Sequence, residues 1–237
     1  MNVYETKSMA ELLSTNTYPG RGIVLGTTAD GKKAVCAYFI MGRSVNSRNR
    51  VFREEPDGIR TEAYDPSLMV DPHLIIYHPV REIGEGLIVT NGDQTDTIWE
   101  YLAKGESWES ALRTRQFEDD RPNWTPRISG LVAKDGSYKM SILKAADPEG
   151  SATARFFYEY PATAGLGHFL HTYVCDGNPV IPTFQGEPER VIIPDTIDEF
   201  ADELWANLNE DNKISLFVRY TDLESRDTEQ IIINKHE

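Results

Sequence analysis

Residues 41 to 53 read Met-Gly-Arg-Ser-Val-Asn-Ser-Arg-Asn-Arg-Val-Phe-Arg, which puts Arg43, Arg48, Arg50 and Arg53 in one short segment without an acid. The whole chain carries a formal charge of -14, so the remainder, less these four cations, carries -18. A scattered charge mosaic would place acids here too. Ser44, Asn46, Ser47 and Asn49 stand between the arginines and add hydroxyl and amide donors to rigid guanidinium forks. That combination suits a phosphate or carboxylate, and it predicts a small anionic ligand. The competing reading is a solvated loop whose arginines pair with acids elsewhere in the chain.

Two further segments have the same polar character. Thr90-Asn91-Gly92-Asp93-Gln94-Thr95-Asp96-Thr97 follows an apolar run and leads into a helical pattern. Backbone N–H groups at a helix start, with Asn91 and the threonine hydroxyls beside them, make a polar pocket at a strand end. Ordinary helix capping accounts for Asp93 and Thr95 equally well. Asn123-Trp124-Thr125-Pro126-Arg127-Ile128 is a proline-stiffened loop that delivers an arginine into a strand.

The elements that must position these residues are mostly strands. Gly22 to Gly26 and Ala34 to Met41 are apolar runs joined by Ala29-Asp30-Gly31-Lys32, and Ile128 to Leu143 repeats the pattern around Asp135-Gly136-Ser137. Both read as hairpins with Asp-Gly turn chemistry. Other expected strands are Leu74 to Tyr77, Leu87 to Thr90, Arg155 to Tyr160, Gly167 to Val174, Arg190 to Ile193, Ile214 to Tyr220 and Gln230 to Asn234. Ile197, Phe200, Ala201, Leu204, Trp205 and Leu208 keep helical spacing, with Thr196 and Glu199 as a capping box. Two more helices are expected from Thr95 to Ala103 and from Ser107 to Phe117, divided at Gly105. Strands, then helices, then strands make an α+β fold, and no repeat or linker divides the 237 residues, so one domain is expected.

Composition narrows the partners. A sequence pI near 4.8 gives no general attraction for nucleic acid or anionic membrane. No stretch has the roughly 20 apolar residues of a membrane-spanning helix, and the N-terminus lacks a secretory pattern, so a cytoplasmic protein is expected. Cys36 and Cys175 sit in apolar surroundings and read as inert core thiols, and no cluster has metal-ligand spacing. His168 and His171, three apart on a strand, should face opposite sides, one core and one surface. Gly84-Glu85-Gly86 reads as a tight turn before a strand.

In order and rough spacing, the chain carries Tyr18-Pro19-Gly20-Arg21-Gly22-Ile23, Gly42-Arg43-Ser44 with Asn46 and Arg48, Asn91-Gly92 with Thr95-Asp96-Thr97-Ile98, and Thr125-Pro126-Arg127-Ile128. Together these resemble the archaeal-type IMP cyclohydrolases, over about Tyr18 to Lys134. The resemblance implies a four-layer αββα sandwich of the N-terminal-nucleophile-hydrolase type. It also implies an enzyme of the cyclic-amidine hydrolase class that closes the ring of a formylated aminoimidazole carboxamide ribotide. The products are inosine monophosphate and water, in the last step of de novo purine synthesis. It assigns functional roles to Arg48, Tyr77 and Glu118, with Asp119 as the alternative acid. The matched segments supply Arg21, Arg43, Ser44, Asn46, Asn91, Gly92, Thr95, Asp96 and Arg127 as expected substrate contacts. No cofactor or metal is expected, and a homo-oligomer is. Residues 1 to 17 form an extension ahead of the matched region.

The chemistry asks for such groups. The carboxamide nitrogen must attack the formyl carbon, lose a proton and expel water, so an arginine at the oxyanion, a tyrosine as proton relay and a carboxyl group each have a task. Packing a strand's ring into the core is the competing role of Tyr77. An N-terminal-nucleophile amidohydrolase is the enzymatic rival, since Gly26-Thr27 resembles a self-cleavage site, although a hairpin turn is needed just there. A nucleotide-binding module without catalysis is the other.

Overall fold

The computed structural model describes residues 2–69, 76–84 and 86–236. Along the chain run α1 (Met9–Thr15), β1 (Arg21–Thr27), β2 (Lys33–Met41), α2 (Val45–Arg48), β3 (Val51–Glu55), β4 (Gly58–Glu62), a short 3-10 turn (Pro66–Leu68), β5 (Val80–Ile83) and β6 (Gly86–Thr90). There follow α3 (Gln94–Ala103), α4 (Trp108–Arg113), β7 (Arg127–Val132), β8 (Tyr138–Ala145), β9 (Thr153–Tyr160), β10 (Leu166–His171), β11 (Glu189–Ile192), α5 (Ile197–Asn207), β12 (Lys213–Asp222) and β13 (Thr228–Asn234).

The strands form two antiparallel sheets, ordered β11-β10-β1-β2-β12-β13 and β3-β4-β5-β6-β7-β8-β9. Strand alternation sends successive side chains to opposite faces, and here both faces of each sheet are covered. Ile23, Leu25, Cys36, Tyr38 and Ile40 point between the sheets, where they meet Val89, Ile128, Met140 and Ile142. Val24, Val35, Ala37 and Phe39 point outward to Met9, Leu12 and Leu13 of α1 and Phe200 and Leu204 of α5. On the far side, Ile88 and Leu143 pack on Ile98, Trp108 and Leu112 of α3 and α4. The layers are therefore helix, sheet, sheet, helix, as expected. Gly130 permits the close approach of the sheets, since a Cβ there would lie 2.8 Å from Leu25 Cδ1.

Both expected hairpins form. Thr28 Oγ1 donates to Asp30 Oδ1 at 2.7 Å and Gly31 takes φ +74°, so the β1–β2 turn is built from its own residues. Thr196 accepts from the Glu199 N–H at the start of α5, and Gly105, at φ +77°, closes the turn after α3. The extension is part of the fold: the Ala10 N–H donates to Glu203 Oε1 at 2.9 Å, and Lys7 bridges to Val191.

Several expectations need correction. The strands β3, β4 and β5 were not foreseen, because each is only four or five residues long and interrupted by charged residues. In β3 only Val51 and Phe52 are buried. The helix expected from Ser107 to Phe117 stops at Arg113, where Thr114 bends its hydroxyl to the Ala111 carbonyl. The first half of the strand expected over Leu74 to Tyr77 lies outside the described residues, as does Glu85; residues 76 and 77 are not in a strand. His168 and His171 do face opposite sides, yet both are buried, at 4% and 5% exposure, because both faces of the sheet are covered. Cys175 is exposed, so only Cys36 is a core thiol.

Candidate active site

One end of the sandwich collects the polar residues. Arg21 opens β1 opposite Ile40, and β10 ends at His171 opposite Gly22, with Tyr173 just beyond. On the facing sheet β6 ends at Thr90 opposite Ser129, Arg127 opens β7, Tyr77 precedes β5 and Arg50 precedes β3. Strand ends that leave both sheets on the same side bring these side chains together without any being neighbours in sequence.

Arg50 is the deepest of them. It is 1% exposed, donates through Nε to the Ser47 carbonyl at 2.8 Å, and lies within electrostatic reach of Arg21, Tyr77, Tyr38 and Tyr18. Burial first, and the Arg21 charge second, pull its guanidinium below the usual arginine range, while the tyrosines oppose them. Arg21 shows the opposite balance. Burial works against its charge, but Glu118, Tyr173, Tyr18 and Tyr77 outweigh it and hold the guanidinium above its ordinary value. Arg21 Nε is buried with no hydrogen-bond partner among the described residues.

Glu118 faces Arg21, Arg127 and Arg50, and burial raises its carboxyl above the ordinary value against their pull, with Asp120 adding to the rise. Its backbone N–H donates to the Thr125 carbonyl at 2.9 Å, closing the loop that carries it. Asp120 fixes the same loop by accepting from the Thr125 N–H at 2.6 Å and from its hydroxyl, and that hydroxyl meets Tyr173 Oη at 2.5 Å. Of the two candidate acids, only Glu118 is buried. It is 9% exposed, whereas Asp119 points into a surface cleft of about 330 Å³ beside Arg115.

Tyr77 is 5% exposed and is clamped by Thr61, whose Oγ1 accepts from the Tyr77 N–H at 2.9 Å. Its hydroxyl lies 2.9 Å from that of Tyr38, a fully buried residue of β2. Burial, and then Tyr77, hold the Tyr38 phenol well above its ordinary value, so Tyr38 keeps its proton.

Arg48 does not join this group. Its Nε donates to the Gly42 carbonyl at 3.0 Å and its Nη2 to Asn212 Oδ1 at 2.9 Å, and it lines an outer cleft with Asp211, Lys213, Lys235 and His236. The single turn of α2, capped by Ser44, turns Arg48 outward and leaves Arg50 to enter the site two residues later. Arg43 sits at the rim, paired with Asp176 at 2.5 Å and lying over the Tyr18 ring. Arg53 reaches Glu62 at 3.8 Å, so the acid-free segment divides into one inward cation and three outward ones.

The remaining expected contacts split by role. Asn91 is structural: its Oδ1 accepts from the Ile128 N–H at 2.9 Å and its Nδ2 donates to the Pro126 carbonyl. Thr95 shares a hydrogen bond with Thr90, and Asp96 pairs with Arg81 and His78 away from Glu118. Gly92 matters by its bareness, since a Cβ would lie 2.3 Å from Arg127 Nη1. Arg127 bonds Gln94 and, with Arg115, Asp93, where the two cations overcome burial and hold the carboxyl below its ordinary value. Ser44 and Asn46 stay with α2, Ser44 as its N-cap. Tyr38, Tyr173 and Asp120 were not foreseen. Arg50 and Tyr18 stood in segments that were singled out, with no sequence signal to say that they point inward.

Among the described residues no three His, Cys, Asp or Glu side chains are grouped to hold a metal ion, and no helix is long and apolar enough to cross a membrane. A layered α+β sandwich with arginines, tyrosines and one buried carboxyl group at the end of its sheets defines a class of proteins built to handle a small polar ligand. The IMP cyclohydrolase-like protein family model matches residues 18–226, and the chain belongs to that family. It is similar to an IMP cyclohydrolase of Methanococcus aeolicus, 29% identical over 162 residues that cover 67% of this chain and 75% of that protein. It is 32% identical over 147 residues to an IMP cyclohydrolase of Methanopyrus kandleri, covering 56% of this chain and 72% of that one. A third, from Halobacterium salinarum, is 31% identical over 133 residues, or 54% and 63% of the two chains.

Proposed function

We propose that this chain closes the formylated aminoimidazole carboxamide ribotide to inosine monophosphate and water, at the site formed by Arg21, Arg50, Tyr77 and Glu118. The observation that carries the reading is the convergence of two arginines, a tyrosine pair and a buried carboxyl group at one end of the sandwich, in a member of this family.

Binding places the carboxamide nitrogen against the formyl carbon, and holding both arms in a near-attack arrangement supplies up to roughly 7 to 11 kcal/mol in favourable intramolecular cases. As the C–N bond forms, charge gathers on the formyl oxygen beside Arg21, whose Nε is free to donate. One such donor is worth about 3 kcal/mol. Tyr77 passes the amide proton to that oxygen, with Tyr38 holding the Tyr77 hydroxyl, and leaves a carbinol. Glu118 keeps its own proton to higher pH than a free glutamate and hands it to the departing hydroxyl, which leaves as water. As water leaves, the former formamido nitrogen gives up its proton, which returns to the Glu118 carboxylate, and the C=N bond completes the ring.

The reading takes a purine ribotide as the partner and no nucleic acid, in keeping with the charge of -14. It takes one domain, with α1 as an added part of it, an architecture of the N-terminal-nucleophile-hydrolase type, and a cytoplasmic setting. Purified protein incubated with the formylated ribotide should raise the absorbance of inosine monophosphate. Glu118→Gln should slow that rise by about 100-fold. Absence of product from the folded wild-type chain would overturn the proposal.

A further inference from the structure

Strand β9 ends the seven-stranded sheet, and among the described residues nothing pairs with its outer edge. It is eight residues long, and an unguarded edge of that length is a template for another strand. Which of its backbone groups are free follows from the register. Beyond the strand end, the Ala146 N–H donates to the Ala152 carbonyl at 2.9 Å, and the β8–β9 pairing continues the same register through Ile142↔Phe156 and Tyr138↔Tyr160. In an antiparallel ladder the doubly bonded pairs recur at every second residue, so Ala154, Phe156, Tyr158 and Tyr160 bond inward to β8. The Ala133 N–H bond to the Ser137 carbonyl fixes the other side of β8 consistently, leaving its odd residues to β7. The N–H and C=O groups of Thr153, Arg155, Phe157 and Glu159 therefore point out along the edge.

A two-fold pairing of β9 with a second β9 must match these outward residues with one another. Centring it on Arg155 opposes two arginines, and centring it on Glu159 opposes two glutamates; like charges directly opposite destabilise. Centring it on Phe157 sets Arg155 opposite Glu159 twice and Phe157 opposite Phe157. It also sets Phe156 opposite Tyr158 twice on the other face. Phe156 is 41% exposed, which is unusual for a phenylalanine in a strand, and Arg155 is held beside the edge by donating through Nη2 to the Arg115 carbonyl at 2.8 Å and through Nη1 to the Thr153 carbonyl at 3.2 Å. Glu159 has a side chain 68% exposed beside Lys139, so it has room for a second cation.

We infer that two copies of this chain join through β9, antiparallel and centred on Phe157, so that their seven-stranded sheets become one continuous sheet across an isologous interface. The partner is a second copy because the strand is complementary to itself in charge, in ring pairing and in the phase of its free hydrogen-bond groups.

Sedimentation velocity of the full chain tests this. The wild type should sediment at twice the chain mass, or an even multiple of it. Arg155→Glu or Glu159→Arg alone, each placing like charges opposite, should weaken association by roughly tenfold or more. The combined Arg155→Glu, Glu159→Arg variant should restore it, with circular dichroism showing all three folded. As a second measurement, the amides of Arg155, Phe157 and Glu159 should exchange more slowly as wild-type concentration rises. A wild type that sediments as one chain, single variants that associate like the wild type, a folded double variant that stays dissociated, or exchange independent of concentration would each overturn the inference.

Discussion

Replacing Tyr77 by phenylalanine separates catalysis from packing, because among the described residues its hydroxyl has a single polar partner. Tyr38 Oη lies 2.9 Å away and is fully buried, with Tyr77 as its hydrogen-bond partner. Tyr77→Phe keeps the ring and strands the Tyr38 hydroxyl, at a cost of about 1 to 3 kcal/mol in stability. Tyr38→Phe should cost a similar amount by stranding Tyr77. The combined Tyr38→Phe, Tyr77→Phe variant removes both partners and should recover most of that loss, since deleting a complete pair is far less costly than orphaning half of it. Turnover should follow a different order. If the Tyr77 hydroxyl moves a proton only in the transition state, Tyr77→Phe and the double variant should both fall by about 100-fold or more with product affinity kept. Tyr38→Phe should fall less, since the Tyr77 hydroxyl stays in place. Urea unfolding, steady-state rates and calorimetric affinity for inosine monophosphate on the four proteins read all of this. Wild-type turnover in Tyr77→Phe would refute the reasoning, because the hydroxyl would then be only a core hydrogen bond.

Three further outcomes follow. Arg50→Lys should weaken product binding by about 1.5 to 3 kcal/mol, the scale of a charge-assisted contact, while Arg48→Ala leaves it unchanged; the reverse order in calorimetry would return Arg48 to the site. Glu118 is raised above 4.5 by burial, so its protonated form supports folding below the ordinary glutamate range and that support is lost as pH climbs through the raised value. Glu118→Gln should therefore gain stability relative to wild type as pH rises above the ordinary glutamate range in urea titrations. His168, buried against Tyr138 and Tyr160, is pushed down to about 4 by burial first and Arg190 second. It must bind a proton to unfold in acid, so stability should fall as pH drops from about 6.5 towards 4, by up to about 3 kcal/mol. His168→Gln should remove that part of the slope.

The two hairpins and α5 were legible because their signals are local: Asp-Gly turns, alternating apolar residues and a helical stripe ahead of which Thr196 caps. The edge region β3–β4 was not, since Arg53, Glu54 and Glu55 break the apolar alternation of a strand whose partner follows directly after Pro56-Asp57. The site was half legible. Composition marks the arginine segment as unusual, and the family's motifs point to Tyr77 and Glu118. Which arginine turns inward depends on the one turn of α2, capped by Ser44 and followed by Asn49 bonding back to Val45 and Asn46, and a four-residue helix leaves no periodicity to read. Tyr38 looked like any core aromatic of a buried strand. Its role comes from where β2 and the segment before β5 meet, a tertiary fact. Likewise one of His168 and His171 was taken as a surface residue because a strand pattern cannot show that both faces of β10 are covered, His168 stacking on Tyr160 and His171 packing on Phe169 and Phe184.

The central claim is ring closure at this site, and one experiment separates it from simple hydrolysis of the formamide. The formylated ribotide, labelled with carbon-13 at the formyl group, is given to the wild-type chain and followed by NMR. The account predicts that the label leaves the formyl position and appears at the ring carbon between the two nitrogens of inosine monophosphate. Label appearing in free formate would identify an amidohydrolase, and label remaining in the starting formamide would show a chain that binds without reacting; either result contradicts the account.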